Sequence, residues 1–381
     1  MEKFLYQKEN EYFAQTQRGL EETAKNEIEE LGGIDCKTSF RGLYFKASKK
    51  GLYKINYMAK TISRVLAPLK KFPVYNEDEL YKNGYSILWE EFLNPELTFA
   101  VFSSVSGSNI KHSKFAALKL KDAIADRLRE KFGKRPYVDT KDPQVSINLN
   151  IRNNKGTISF DTSGRALHKR GYRIQSVEAP IHETLAAAIL NISGWRGETP
   201  LYDPMAGSGT ILSEALLKYR NLPSGFKDHN YGFYFLPDFE EKIWSDVKNE
   251  CDKKILNFPG DIIAGSDIDP DAVSASKRNL MEIPGGKDVF INGTDFRDIN
   301  NLENHTIISN LPYGQRLGSL EETQRIYKDF GDFLKKKCKG SKAFLLCGST
   351  SLVKKIGLRP KRCIILFNGP IETRLVEIEL Y

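Results

Sequence analysis

YDPMAGSGTILSEALL, residues 202–217, is the stretch on which the fold of the chain's second half turns. It reads as a strand ending at Asp203, a sharp loop holding Gly207 and Gly209, and a helix beginning near Thr210. Two glycines let a ligand approach the backbone closely, and the unpaired N–H groups of a helix start can hold a carboxylate. No lysine follows the glycines, so a Walker A loop is excluded, and Leu212 stands where a dinucleotide fingerprint needs its third glycine. On its own the Gly-Ser-Gly is also compatible with a plain strand-to-helix turn.

Downstream, DIIAGSDID, DVFINGTDF, HTIISNLP and SKAFLLCGS are short apolar strands separated by helix-length segments, and TPLYDP is the strand that enters the glycine loop. That alternation predicts a parallel, doubly wound α/β sheet. CIILFNG and TRLVEIELY then read as a closing antiparallel hairpin. Open sheets bind ligands at the carboxyl ends of their strands, and chemistry collects there. Asp267 ends the second strand, where a carboxylate can bond two ribose hydroxyls. Asp269 reads as an N-cap, with Pro270 at the first helical position. Asp295 ends the third strand beside Phe296; a carboxylate there can accept from the exocyclic amine of adenine while a ring covers its face. A ligand with a carboxylate, a ribose and an adenine but no phosphates is S-adenosylmethionine.

The fourth strand runs into SNLPYGQRL, residues 309–317. A tight loop needs Pro312 and Gly314, but not Asn310 and Tyr313. The Asn310 amide oxygen and the Leu311 carbonyl can both accept from an exocyclic amine and aim its lone pair, and Tyr313 offers a stacking face. An Asx-type turn with a core-packed tyrosine is the plainer alternative, and the preceding motifs weigh against it.

Upstream, EYFAQTQRGLEETAKNEIEELGG, RGLYFKA and KKGLYKINYMAKTISRVLAPLKKF predict an α+β unit ending near residue 65. A second unit follows, with strands at TFAVFSSV, QVSINLNIR and TISFDTSG around the amphipathic helix SKFAALKLKDAIADRLREKFG. LHKRGYR and Pro180 read as a joint. The boundaries expected from this pass are 1–65, 66–165 and 166–381. No apolar run is long enough to span a bilayer, and the start carries acids where a secretory signal would be apolar, so a cytoplasmic protein is expected. Cys36, Cys251, Cys338, Cys347 and Cys363 have no regular spacing, which suggests neither a disulfide framework nor a metal site.

The formal net charge is +8, and residues 111–173 concentrate the basicity. Such a block suits a polyanion, although a helix of alternating signs is also what an ordinary solvated surface looks like. Between Gly209 and Asp267, NLPSGFKDHNYGFYFLPDFEEKIWSDVKNE supplies Tyr231, Phe233, Tyr234, Phe235, Phe239 and Trp244. Packing of an extra helix against the core is the first reading, a stacking surface for RNA the second. His182, at the start of IHETLAAAIL, reads as a surface or capping residue rather than a catalytic one.

DPMAGSGT, GSDID, GTDF and NLPYG together resemble the ordered motifs of class I S-adenosylmethionine-dependent methyltransferases that act on exocyclic amino groups, whose target motif is commonly [DN]-P-P-[YF]. RGLEE, LHKRGYR and the segment from SKFAALKLKD to NLNI resemble the THUMP-containing RNA methyltransferases, closest to the bacterial enzymes that make N2-methylguanosine in large-subunit ribosomal RNA. The resemblance implies a Rossmann-like catalytic domain preceded by ferredoxin-like and THUMP domains, with RNA as partner: 23S ribosomal RNA or an assembly intermediate first, transfer RNA second. It implies neither a metal nor a membrane. Carried over, it assigns Asp203, Pro204, Ala206, Gly207, Ser208, Gly209, Thr210, Asp267, Ile268, Asp295, Phe296 and Asn310 to the cofactor. Asn310, Leu311, Pro312 and Tyr313 fall on the target base, and Lys111, Lys114, Lys119, Arg127, Lys134, Arg135, Arg170 and Arg173 become candidates for RNA. Two positions depart from the family pattern: Ala206 replaces a cysteine and Leu311 a proline.

Overall fold

A computed structural model describes residues 4–177, 180–227, 229–313 and 320–381. The chain divides into two compact units, and the division crosses the sequence five times. The first unit takes residues up to Thr16, Lys25–Leu167 and the segment ending at Glu250; the second takes Gln17–Ala24, His168–Lys227 and Cys251–Tyr381.

One eight-stranded sheet organises the first unit. Its strands are β1 (Glu11–Gln15), β2 (Ile34–Ser39), β3 (Gly42–Lys46), β4 (Arg64–Pro73), β5 (Thr98–Ser106), β6 (Tyr137–Val138), β7 (Val145–Arg152) and β8 (Lys155–Asp161). They lie in the order β2-β3-β1-β4-β8-β7-β5-β6. The expected break near residue 65 therefore falls at the start of β4, which pairs with β1 on one side and β8 on the other. The ferredoxin-like and THUMP segments share a sheet through this one strand. Helix Ser113–Phe132 forms where its amphipathic spacing predicts, burying Ala116, Leu120, Ala123, Ile124 and Leu128, and Gly133 in left-handed geometry ends it. Helix Glu77–Tyr85 escaped the sequence reading, though Asn76 accepts from the Glu79 N–H at 2.9 Å and Glu77, Asp78 and Glu79 fill the first turn.

The aromatic segment after residue 228 also belongs to the first unit. Phe233 and Tyr231 are almost wholly buried, the Phe233 ring lies 4.7 Å from Tyr53, and Trp244 on helix Glu241–Asp252 meets Tyr57 edge-on at 5.3 Å. These rings are core, as the first reading had it, but the core is that of the N-terminal unit and not of the parallel sheet.

The second unit is built on β9 (Leu201–Asp203), β10 (Ile263–Asp267), β11 (Phe290–Gly293), β12 (Thr306–Asn310), β13 (Lys342–Cys347), β14 (Arg362–Asn368) and β15 (Ile371–Glu379). Their order is β11-β10-β9-β12-β13-β15-β14, parallel through β13, with β15 antiparallel to both its neighbours. Successive residues of a strand face opposite sides, so Ile308 joins the core under Leu185, Leu212 and Leu216 while Ile307 joins the one with Phe330 and Leu334. With both faces covered, the strand ends are left as the place where polar chemistry can stand. Among the described residues no helix is long and apolar enough to cross a membrane.

Candidate active site

The glycine loop leaves β9 and enters helix Thr210–Tyr219. Gly209 is its N-cap at φ 75°, and a Cβ there would lie 2.7 Å from Ser276 Oγ, so both conformation and space require glycine. Gly207 differs: at φ 55° its nearest neighbour would be Val177 Cγ2 at 3.7 Å, which leaves an open approach to the backbone. Helix Pro270–Met281 braces the loop from behind, with Ser276 Oγ donating to the Gly207 carbonyl at 2.8 Å and Asn279 Nδ2 to that of Ser208 at 2.9 Å. Pro204, Ala206, Ser208 and Thr210 are buried. The Ser208 and Thr210 hydroxyls accept from Arg173, at 3.2 and 2.9 Å, so among the loop residues assigned to the cofactor it is Gly207 that offers its surface.

Asp267 ends β10 and accepts from the N–H of Gly207 at 2.8 Å and of Asp269 at 3.0 Å. Burial holds its pKa above the ordinary carboxylate value despite these bonds. Asp269 is the N-cap expected, accepting from Asp271 N–H ahead of Pro270. Ile268, between the two acids, is 66% exposed, a large apolar side chain held in the open beside the loop.

Asp203 is 1% exposed and ties two strand ends together: its Oδ1 accepts from Ser309 Oγ at 2.7 Å and from Met205 N–H at 3.1 Å. Ser309 had not been singled out from the sequence. Burial pushes the Asp203 pKa up to about 7 from 3.8, with the two hydrogen bonds opposing and the charge of Asp267 adding. A folded value above the unfolded one favours the native state below about pH 4, and that contribution is lost as pH rises through about 7. Asp203→Asn is thus expected to melt above the parent at about pH 8 by an amount worth a few kcal/mol at most, the gap closing towards about pH 4. A gap constant across that range, by thermal melts in matched buffers, would show an ordinary carboxylate.

The third strand end departs from its reading. Phe296 is 4% exposed and packs between Phe330 and Phe333, at 5.1 and 5.8 Å, so its ring cannot cover a ligand. Asp295 caps the short turn Phe296–Asp298 through Arg297 N–H at 2.9 Å and accepts from the Arg297 guanidinium at 2.8 Å. The apolar surface beside the loop is supplied by Ile268 instead.

Asn310 is the last residue of β12, in register with Leu346. Leu311 N–H donates to the Leu346 carbonyl at 3.0 Å, and the Leu311 side chain is fully buried in the core. Proline at this position could not form that bond, so the departure from the family pattern exchanges ring stiffness for one more rung of the ladder. The Tyr313 hydroxyl donates to Asn310 Oδ1. Gly348 makes room for this ring: a Cβ there would meet Tyr313 Cβ at 2.9 Å. Gly314 and the rest of 314–319 lie outside the described residues.

The basic candidates separate into three kinds. Lys111, Lys114 and Lys134 are exposed. Arg127 holds Glu90 with two bonds of 2.8 Å, Arg135 pairs with Asp126 at 2.9 Å, and Lys119 sits 5.4 Å from the Tyr81 ring. Arg170 and Arg173 stand apart. Arg170 is fully buried against Glu214 at 2.7 Å, and Arg173 is bound to Glu183, Ile181, Ser208 and Thr210. The Arg170 side chain is out of reach of a phosphate, contrary to the expectation.

A sterically open approach at Gly207, an acid at the end of β10 and an exposed aliphatic residue beside it suit an adenosyl ligand. With the strand order and terminal hairpin, they define a class I S-adenosylmethionine-dependent methyltransferase. Residues 170–377 match the RMKL-like methyltransferase domain, 74–161 the THUMP domain and 11–66 the RlmL ferredoxin-like domain. The chain belongs to this RMKL-like family of S-adenosylmethionine-dependent RNA methyltransferases. It is 36% identical over 374 residues to the Synechocystis sp. protein slr0064, whose name proposes an RNA methyltransferase, covering 97% of each chain. It is 32% identical over 383 residues to the ribosomal RNA large subunit methyltransferase K/L of Syntrophotalea carbinolica; the match takes 97% of this chain and spans 53% of that longer protein. Among solved structures, the methyltransferase-like protein SMU.472 in complex with S-adenosylhomocysteine superposes with a TM-score of 0.86 at 27% identity, covering 97% of this chain and 98% of that one.

Proposed function

We propose that the protein methylates the exocyclic N2 amine of a guanine in large-subunit ribosomal RNA, with transfer RNA as the alternative substrate, working in the cytoplasm. The observation that carries this reading is the Asn310–Tyr313 pair at the end of β12, where an amide oxygen stands beside a ring with its hydrogen-bonding capacity already directed at a donor. S-adenosylmethionine, when bound, supplies a methyl group on a sulfonium whose departing thioether keeps the bond's electron pair. Asn310 Oδ1 accepts one hydrogen of the target amine, the Leu311 carbonyl the other, and the two bonds hold the nitrogen lone pair toward the methyl carbon. Tyr313 stacks the extruded base once its hydroxyl yields Asn310 Oδ1 to the amine. The methylated nitrogen then loses a proton to solvent, and no general base is required.

Tritium transfer from labelled S-adenosylmethionine to separated ribosomal and transfer RNA, followed by nucleoside chromatography, tests the reading. Label in N2-methylguanosine from one fraction is expected. Label in an adenine nucleoside would overturn the guanine assignment, and binding of S-adenosylhomocysteine with no transfer to either RNA would overturn the substrate assignment.

A further inference from the structure

Strands β1 to β4 are the four-stranded part β2-β3-β1-β4 of the first sheet, and their two faces differ sharply. Tyr12, Ala14, Leu43 and Phe45 on one face are at most 3% exposed. On the other, Phe13 of β1 stands directly opposite Tyr44 of β3, so the two central strands each present an aromatic ring. Tyr44 is 37% exposed, and the ring centroids are 4.9 Å apart at 60°. A Cβ on Gly42 would come within 2.4 Å of Phe13 Cζ. The ring therefore reaches across the glycine and lies along the sheet.

Cations surround the pair. Lys37 stands opposite Tyr44 on β2, and Lys71 Nζ is 5.7 Å from the Tyr44 ring, held there by Glu11 at 3.0 Å. The face continues through β4, β8 and β7 to β5, where Phe102 is 40% exposed with the Arg64 guanidinium 5.8 Å from its ring. Charge is segregated by element: the four strands and the turn between β2 and β3 carry Lys37, Arg41, Lys46, Arg64, Lys70 and Lys71 against Glu11 and Asp35. Helix Glu21–Glu30 carries the acids, five glutamates against Lys25.

Here one exposed ring (Tyr44) and one half-buried ring (Phe13) stand side by side on adjacent strands and are flanked by cations. Rings on adjacent strands beside cations are an arrangement by which proteins stack unpaired bases and hold the intervening phosphates. We propose that this open sheet face binds single-stranded RNA, with Phe13 and Tyr44 stacking bases and Lys37 and Lys71 neutralising adjacent phosphates. The inference rests on the reading that the substrate is RNA, and adds a contact surface outside the THUMP segment. Exposed ion pairs such as Lys71–Glu11 are weak enough to exchange for a phosphate.

The test uses the full-length protein and fluorescence anisotropy with a short labelled single-stranded RNA and a duplex of the same length. Phe13→Leu and Tyr44→Leu keep an apolar cross-strand pair while removing the stacking face. Each is expected to weaken single-strand binding about tenfold and leave duplex binding unchanged. Lys37→Gln and Lys71→Gln are each expected to make the dependence of log affinity on log salt shallower by about 0.7. Thermal melts and S-adenosylhomocysteine affinity should match the parent. A folded double variant with unchanged single-strand affinity overturns the proposal and leaves the pair as sheet packing. If the rings govern single-strand binding but no RNA is methylated, the function fails and this surface stands; methylation with binding independent of the rings gives the converse.

Discussion

Asn310→Ala is expected to slow methyl transfer about 10²–10³-fold while S-adenosylhomocysteine still binds. The amide oxygen is one of two acceptors that would orient the amine, and it stands at the end of a strand whose backbone is set by the ladder to Leu346. Alanine removes the acceptor without disturbing that ladder, so the loss should fall on kcat more than on KM. Asn310→Asp is the informative partner, because a carboxylate accepts equally well and adds a negative charge beside a nitrogen becoming positive. It should recover part of the rate. Tyr313→Phe removes the hydroxyl that holds Asn310 Oδ1 and retains the ring, so its effect should be within about tenfold, mainly in RNA KM. Single-turnover transfer on a matched RNA fraction measures all three, and an Asn310→Ala rate within about threefold of the parent would remove Asn310 from the chemistry.

These expectations rest on a site that is partly legible in the sequence. What could be read was whatever depended on order along one strand end: Gly207, Gly209, Asp267 and Asn310 stand at successive carboxyl ends because a parallel sheet places them there. What could not be read depended on which side of a short element a residue falls. Phe296 follows Asp295 in sequence as closely as Ile268 follows Asp267, yet one turn of 3₁₀ helix carries Phe296 into the core with Phe330 and Phe333, while Ile268 stays 66% exposed. Leu311 stands where the family pattern has a proline, and its N–H bond to Leu346 becomes visible only with β12 and β13 in register. Membership of the two compact units does not follow chain order either. The residues 17–24 fall in the catalytic unit and those ending at Glu250 in the N-terminal one, because apolar side chains choose a core by reach and not by chain order. Leu20, for instance, is buried in the same cluster as Leu185 and Leu212.

Arg170→Ala is expected to cost ~3–5 kcal/mol of stability, a fall of roughly 10 °C in the melting of the catalytic unit. The residue sits in the basic block that suggested a phosphate contact, but its guanidinium donates to Glu214 Oε1 at 2.7 Å with both side chains fully buried, and Tyr172 donates to the same oxygen at 2.9 Å. Removing the cation would leave Glu214 buried and uncompensated on the helix that begins at the glycine loop. Glu214 Oε2 has no hydrogen-bond partner among the described residues, so the pair is incompletely satisfied even as it stands. An apolar replacement of both partners, Arg170→Met with Glu214→Leu, should therefore regain most of what Arg170→Ala loses, since the desolvation cost of two charges disappears together with their attraction. A phosphate-binding arginine predicts the opposite signature: an unchanged melt, and an RNA affinity whose log–log salt slope falls by about one. Melting of the two variants beside salt titrations of RNA binding separates the alternatives. A destabilised single variant and a recovered double one would place Arg170 in the core, leaving exposed cations of the block such as Lys111, Lys114 and Lys134 as those through which RNA can be held.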